Sequence, residues 1–297
     1  MTILVTNPTP EHFLLEARVI SINARTQFQA RKVTTEDNGV TTEALQVNFI
    51  HRNTIDKLKE LWGTTSAFVQ RLFENVPNTL APSLQLQRTI RLAMSNVYLN
   101  DKDVKVAVPE GLQVSYLQYL DVLEAMVDAS VDFYDNTLLP FKGWVGECIN
   151  DPSKIESVRG HSGIKVFNPD DLIKQRSKLF KGNATEVKYG QAFKRNSDWK
   201  DLESRANALL IKMSGAHSPT VVNDAVLRLD SSVGLLITSM SDPQKTYNAS
   251  PKNVEALAML CYNLAKMIEF YGLTCYSIQS MMVAADKASE QYIKARG

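Results

Sequence analysis

Glycine is scarce in this chain, 13 in 297 residues. Loops that cradle phosphates with backbone N–H groups need closely spaced glycines. Neither a Gly-x-Gly-x-x-Gly run nor a Gly-x-x-x-x-Gly-Lys-Ser/Thr run occurs. Cysteine is scarcer still. Cys148, Cys261 and Cys275 form no Cys-x-x-Cys pair and no disulfide framework, so folding in a reducing, cytoplasmic compartment is expected. An excess of charge of either sign is lacking too. Thirty-three basic against 32 acidic residues give +1, so bulk charge selects neither nucleic acid nor a membrane surface. The longest convincing apolar run, Val233 to Ile237, has Gly234 inside it. A membrane-spanning helix needs about 20 apolar residues, and none is expected. The first fifteen residues have no basic stretch ahead of an apolar run, which predicts no secretory leader. The four histidines, His12, His51, His161 and His217, are scattered, with neither His-Glu-x-x-His nor Glu-x-x-His. Neither metal nor cofactor is expected.

One stretch resembles catalytic chemistry at first sight, Arg159-Gly160-His161-Ser162-Gly163-Ile164. A nucleophile elbow needs Gly-x-Ser-x-Gly between a buried strand and a helix. Here Ile164 takes the place of the last glycine, polar residues precede the stretch, and Lys165-Val166-Phe167 reads as extended. It is a surface turn on this reading, with Ser162 no nucleophile. No catalytic residue is nominated, and a non-enzymatic protein is expected.

What the chain does contain is periodicity. From Ile20 to Arg31 apolar and polar residues alternate strictly, with Ile20, Ile22 and Phe28 on one side. Asn38-Gly39, a pair suited to a two-residue hairpin turn, follows, and then Leu45, Val47 and Phe49 alternate with Gln46 and Asn48. The pattern predicts a long β-hairpin over roughly 17–50. It could lie on its own core or serve as an arm whose edges pair with another chain.

From Asn53 the spacing turns helical, beginning with a helix capped by Thr54. Residues 112–139 carry the strongest helical stripe, and Pro140 is expected to stop it. A short extended piece is expected at 105–108. Further helices are expected from Asn168-Pro169 to near Gly182, over 198–213, and over 219–240. A last helical region opens at Ser250-Pro251, with Gly272 placed to break it. The fold class is mainly α, a multi-helix body with an N-terminal β-hairpin. Its expected parts are an arm at 1–52, a helical subdomain at 53–150 and a second at 151–297.

Two charged features stand out. Asp121, Glu124, Asp128, Asp132 and Asp135 recur at spacings of 3 and 4 with no Lys or Arg between them. This is a solvated helix face by default, and like charges at i,i+4 repel by a few tenths of a kcal/mol per pair unless a basic surface relieves them. Between Leu172 and Lys200 stand Lys174, Arg176, Lys178, Lys181, Lys188, Lys194, Arg195 and Lys200, opposed by Glu186 and Asp198 alone. Phe180, Tyr189, Phe193 and Trp199 are interleaved with them. Basic residues with aromatics can track a phosphate backbone and stack bases, although no nucleic-acid-binding motif is present. The same aromatics can equally be core.

Three functions survive, the third being an enzyme of a motif-poor class for which no residues can be nominated beyond the weak Ser162 pair. The first is a structural or assembly protein, with a virus or phage particle component as one concrete version. It would contact other subunits, self or hetero, through the hairpin and the opposite-charge patches. The second is a nucleic-acid-binding or packaging accessory using 172–200.

Overall fold

The strongest periodicity becomes helix α1, Tyr116–Phe133. The computed structural model describes residues 104–151, 153–154, 169–195, 197–240 and 251–295 (for 251–265 the backbone alone), with residues 80 and 84 and ten positions between 56 and 71. The hairpin segment 17–50 and the turn at 159–164 lie outside the described residues. Those described are mainly helical, 79%, with one small two-stranded sheet.

α1 starts four residues later than its apolar stripe suggests, for a local reason. Ser115 and Gln118 exchange side-chain hydrogen bonds with each other's backbone N–H, at 3.2 and 3.4 Å. This is the Ser-x-x-Gln capping box. Leu112 and Gln113 are held outside the helix. Leu112 bridges Phe180, and the Gln113 N–H donates to the Leu179 carbonyl at 2.9 Å. Tyr116, Tyr119, Leu120, Leu123, Met126 and Val127 are buried, as their three-and-four spacing predicts.

Pro140 does not stop the helix, contrary to expectation. A π-helical turn, Tyr134–Leu138, leads directly into α2, Leu139–Asn150, with Pro140 in its first turn. The Leu139 N–H reaches back five residues to the Tyr134 carbonyl. A proline breaks a helix by its missing N–H and by its ring pressing on the preceding turn. The wider π turn displaces that preceding turn and lets the chain continue.

The remaining described elements are β1, Lys105–Ala107; α3, Asp170–Lys178; β2, Glu186–Lys188; α4, Tyr189–Ala192; α5, Asp198–Lys212; a 3₁₀ turn, Gly215–His217; α6, Pro219–Met240; and α7, Pro251–Lys294. α6 has the bounds its sequence predicts. α3 stops short of Gly182, because Phe180 leaves the helix to bridge Leu112. Gly272 does not break α7. A mid-helix glycine costs about 1 kcal/mol, and the buried side chains beside it, Phe270, Tyr271, Leu273 and Cys275, outweigh that.

The chain forms two compact units. The first takes Met1–Asn75, Phe133–Phe167 and Asn223–Glu269, and the second Val76–Asp132, Asn168–Val222 and Phe270–Gly297. In the first, Phe141 stacks on Trp144 with centroids 5.8 Å apart. Val226, Leu229, Val233, Leu236 and Met240 of α6 are buried. Ser66 donates to Asp230 at 2.8 Å.

In the second unit β1 and β2 pair antiparallel, with Val106 opposite Val187. Gln291 of α7 ties both strands down. It accepts from the Ala107 N–H at 2.5 Å and donates to Glu186 at 2.6 Å. Asn207 of α5 holds both backbone groups of Leu84, at 2.8 and 3.1 Å, as a neighbouring strand would.

Candidate contact surfaces in the second unit

Asp121, Glu124 and Asp128 of the stripe have cationic partners within the chain. Arg205 of α5 donates from Nε and Nη2 to both Glu124 oxygens, at 2.7 and 2.9 Å, and from Nη2 to Asp121 at 2.6 Å. Lys212 meets Asp128 at 2.6 Å. Asp121 and Asp128 are seven residues apart, and so are Arg205 and Lys212. Equal advance on both helices means that α1 and α5 run side by side in the same direction. The Arg205 pKa is raised, first by the hydrogen bond to Glu124 and then by Asp121, against the lowering effect of partial burial. Asp132 lies half-buried in the last turn of α1, and Asp135 lies exposed in the π turn, within the first unit. Sequence reasoning passed over Arg205 and Lys212, whose seven-residue spacing matches that of their partners.

Forked, charge-assisted bonds are the strong kind, but Asp121 is two-thirds exposed and solvent screens it. Arg205→Ala is therefore expected to cost about 1 kcal/mol of unfolding free energy. Urea titration at low salt checks this, and the loss should shrink toward zero at high salt as screening takes over.

The basic segment is organised differently. Its two arginines are engaged. Arg195 approaches Asp198 at 3.4 Å, and Arg176 Nε donates to Ser277 Oγ at 2.8 Å with its guanidinium 4.6 Å from the Phe180 ring centroid. Asp198, the buried acid of the segment, turns its carboxylate back on the loop and accepts from the backbone N–H groups of Lys194 and Arg195, at 2.8 and 3.1 Å. Lys174 lies 3.8 Å from Asp171, one turn earlier on α3. Lys178, Lys181, Lys188, Lys194 and Lys200 are exposed. Among the described residues no carboxylate pairs with the ammonium groups of Lys178, Lys181, Lys194 or Lys200.

The lysines stand on a fixed backbone. The Lys181 N–H donates to the Gly111 carbonyl at 2.7 Å, and its own carbonyl accepts from Gln113 Nε2 at 3.0 Å. Gly111 and Gly182 both have positive φ, +79° and +69°, so this double turn depends on glycine.

The interleaved aromatics are core rather than surface. Phe193 stacks on Trp199 at 3.9 Å and on Tyr116 at 5.1 Å, and Tyr189 stacks on Tyr292 at 5.0 Å. Trp199 Nε1–H donates to the Tyr189 hydroxyl at 3.0 Å. Tyr189, Phe193 and Trp199 are each at most 5% exposed, so none of the three presents a ring face for a base to stack on. Phe180 is half-buried, edge-on to Tyr119 at 5.2 Å.

The two cysteines whose side chains are described, Cys148 and Cys275, are free thiols. Burial pushes each up to about 12, so both remain protonated near neutral pH. Among the described residues no group of three or more His, Cys, Asp or Glu side chains is placed to hold a metal ion, and no helix is long and apolar enough to cross a membrane. No family model matches the chain, and no curated protein or solved structure is similar to it.

Proposed function

We propose that this is a non-enzymatic assembly protein whose second unit holds neighbouring subunits, copies of itself or others, through the lysines of segment 172–200. One observation carries the reading. The acidic stripe is met within the chain by Arg205 and Lys212, whereas Lys178, Lys181, Lys194 and Lys200 stand without a carboxylate among the described residues. Exposed cations that no described carboxylate pairs, held on a fixed backbone, favour an acidic partner surface and give it orientation and a fast encounter. Burial of Tyr189, Phe193 and Trp199 supports a protein partner over single-stranded nucleic acid, which binds largely by base stacking. The alternation over 20–31 and 45–49 supports a second contact, through the hairpin expected over 17–50, whose edges would pair with the neighbour. A virus or phage particle is one concrete setting, chosen for the motif-poor composition.

The test replaces Lys178, Lys181, Lys194 and Lys200 together by Gln. Sedimentation velocity should show the parent chain forming species larger than a monomer at low salt, and the variant shifted to monomer. Association of the folded variant identical to that of the parent would rule the segment out.

A further inference from the structure

Arg176 differs from the other described arginines of the second unit. Arg195 and Arg205 each meet a carboxylate. Arg176 is half-buried, yet its partners among the described residues are the Ser277 hydroxyl, the face of Phe180 and the buried Tyr119 hydroxyl, all uncharged. A cation partly removed from water has given up hydration that no carboxylate among the described residues offsets. Its geometry is also fixed. The 2.8 Å bond from Nε to Ser277 and the stacking over Phe180 hold the guanidinium plane in place, so a ligand finds it already ordered. The exposed lysines of the same segment are, by contrast, compact charges on long flexible stems.

We propose that Arg176 is the anchor of the basic surface, an oxyanion site whose Nη groups take a carboxylate from an acidic segment of a protein partner, while the lysines steer that partner in. A planar fork of donors matches a carboxylate in a way that an ammonium does not. A partly desolvated arginine is one of the residue types that dominate binding hot spots. A phosphodiester would fit the fork as well. A carboxylate is favoured because the aromatic side chains that would stack bases are in the core and the chain as a whole is near neutral, +1, rather than strongly basic.

This inference rests on the reading of segment 172–200 as a contact surface, and its test is independent of self-association. Fluorescence anisotropy of a labelled hexaglutamate peptide is titrated with the full chain at low salt, in parallel with a labelled short DNA duplex. The peptide should bind. Arg176→Lys, which keeps the charge but loses the fork, should weaken binding about tenfold, the loss of one charge-assisted bond. Lys178→Gln, the loss of one screened surface charge, should weaken it only about twofold. Ser277→Ala, which leaves the guanidinium but removes its Nε acceptor, should fall between the two, with circular dichroism verifying that each variant is folded. Equal affinity of parent and Arg176→Lys would overturn the anchor. So would absence of peptide binding, or binding of the duplex in place of the peptide. Peptide binding that depends on Arg176 in a chain that never self-associates would leave this site standing and remove only self-assembly.

Discussion

Trp199→Ala is expected to cost the second unit about 3–5 kcal/mol, the range for removing a large buried aromatic, and to take the basic surface with it. Trp199 is 1% exposed and stacks 3.9 Å from Phe193. Its indole N–H satisfies the Tyr189 hydroxyl, which truncation would leave buried without that donor. Set against a total stability of about 5–15 kcal/mol for a folded domain, this is a large fraction. Trp199→Phe keeps most of the ring but not the donor and should cost about 1–3 kcal/mol. Urea unfolding followed by circular dichroism separates the two. An alanine variant as stable as the parent, with only nucleic-acid binding reduced, would show that the indole serves a ligand rather than the core.

The second large effect belongs to Gly111→Ala. A Cβ at position 111 would lie 2.6 Å from the Gly182 carbonyl oxygen, a backbone atom that cannot swing aside, and φ is +79°. The left-handed backbone alone costs a non-glycine residue about 1–2 kcal/mol. Displacing the opposing turn brings the expected loss to about 3 kcal/mol, within the range of strain at special backbone positions. Gly182→Ala is the matched control. It has the same sign of φ but open space at its Cβ, so only the left-handed cost of about 1 kcal/mol is expected. A thermal melt in which the two substitutions cost the same would contradict the steric account. Because the Lys181 N–H bonds to the Gly111 carbonyl, the first substitution should also move Lys181 out of the contact surface.

The helical body was legible wherever one physical signal acted alone. In α6 Pro219 fixes the first turn and apolar residues recur to Met240, so both ends follow from the sequence. Where two signals competed, the sequence did not rank them. Pro140 and Gly272 carry the local marks of helix ends, but the chain passes both, one by widening into a π turn and the other by burial of its neighbours. The charged features show the same limit. That Asp121, Glu124 and Asp128 share a face follows from their spacing. That Arg205 and Lys212 lie opposite them depends on how α1 and α5 pack, which no local pattern encodes. The aromatics of 172–200 were equally ambiguous in one dimension, since a base-stacking platform and a buried cluster have the same spacing. Only the packing of Tyr116 and Tyr292 against them separates the two.

Whether segment 172–200 holds neighbouring subunits is tested most directly by sedimentation velocity of the intact chain over a range of concentrations, at low and at high salt, beside the variant with Lys178, Lys181, Lys194 and Lys200 changed to Gln. The account predicts concentration-dependent association of the parent chain that weakens with salt and is largely lost in the folded variant. A parent chain that stays strictly monomeric at the highest concentration and lowest salt, or a variant that associates as strongly as the parent, would contradict it.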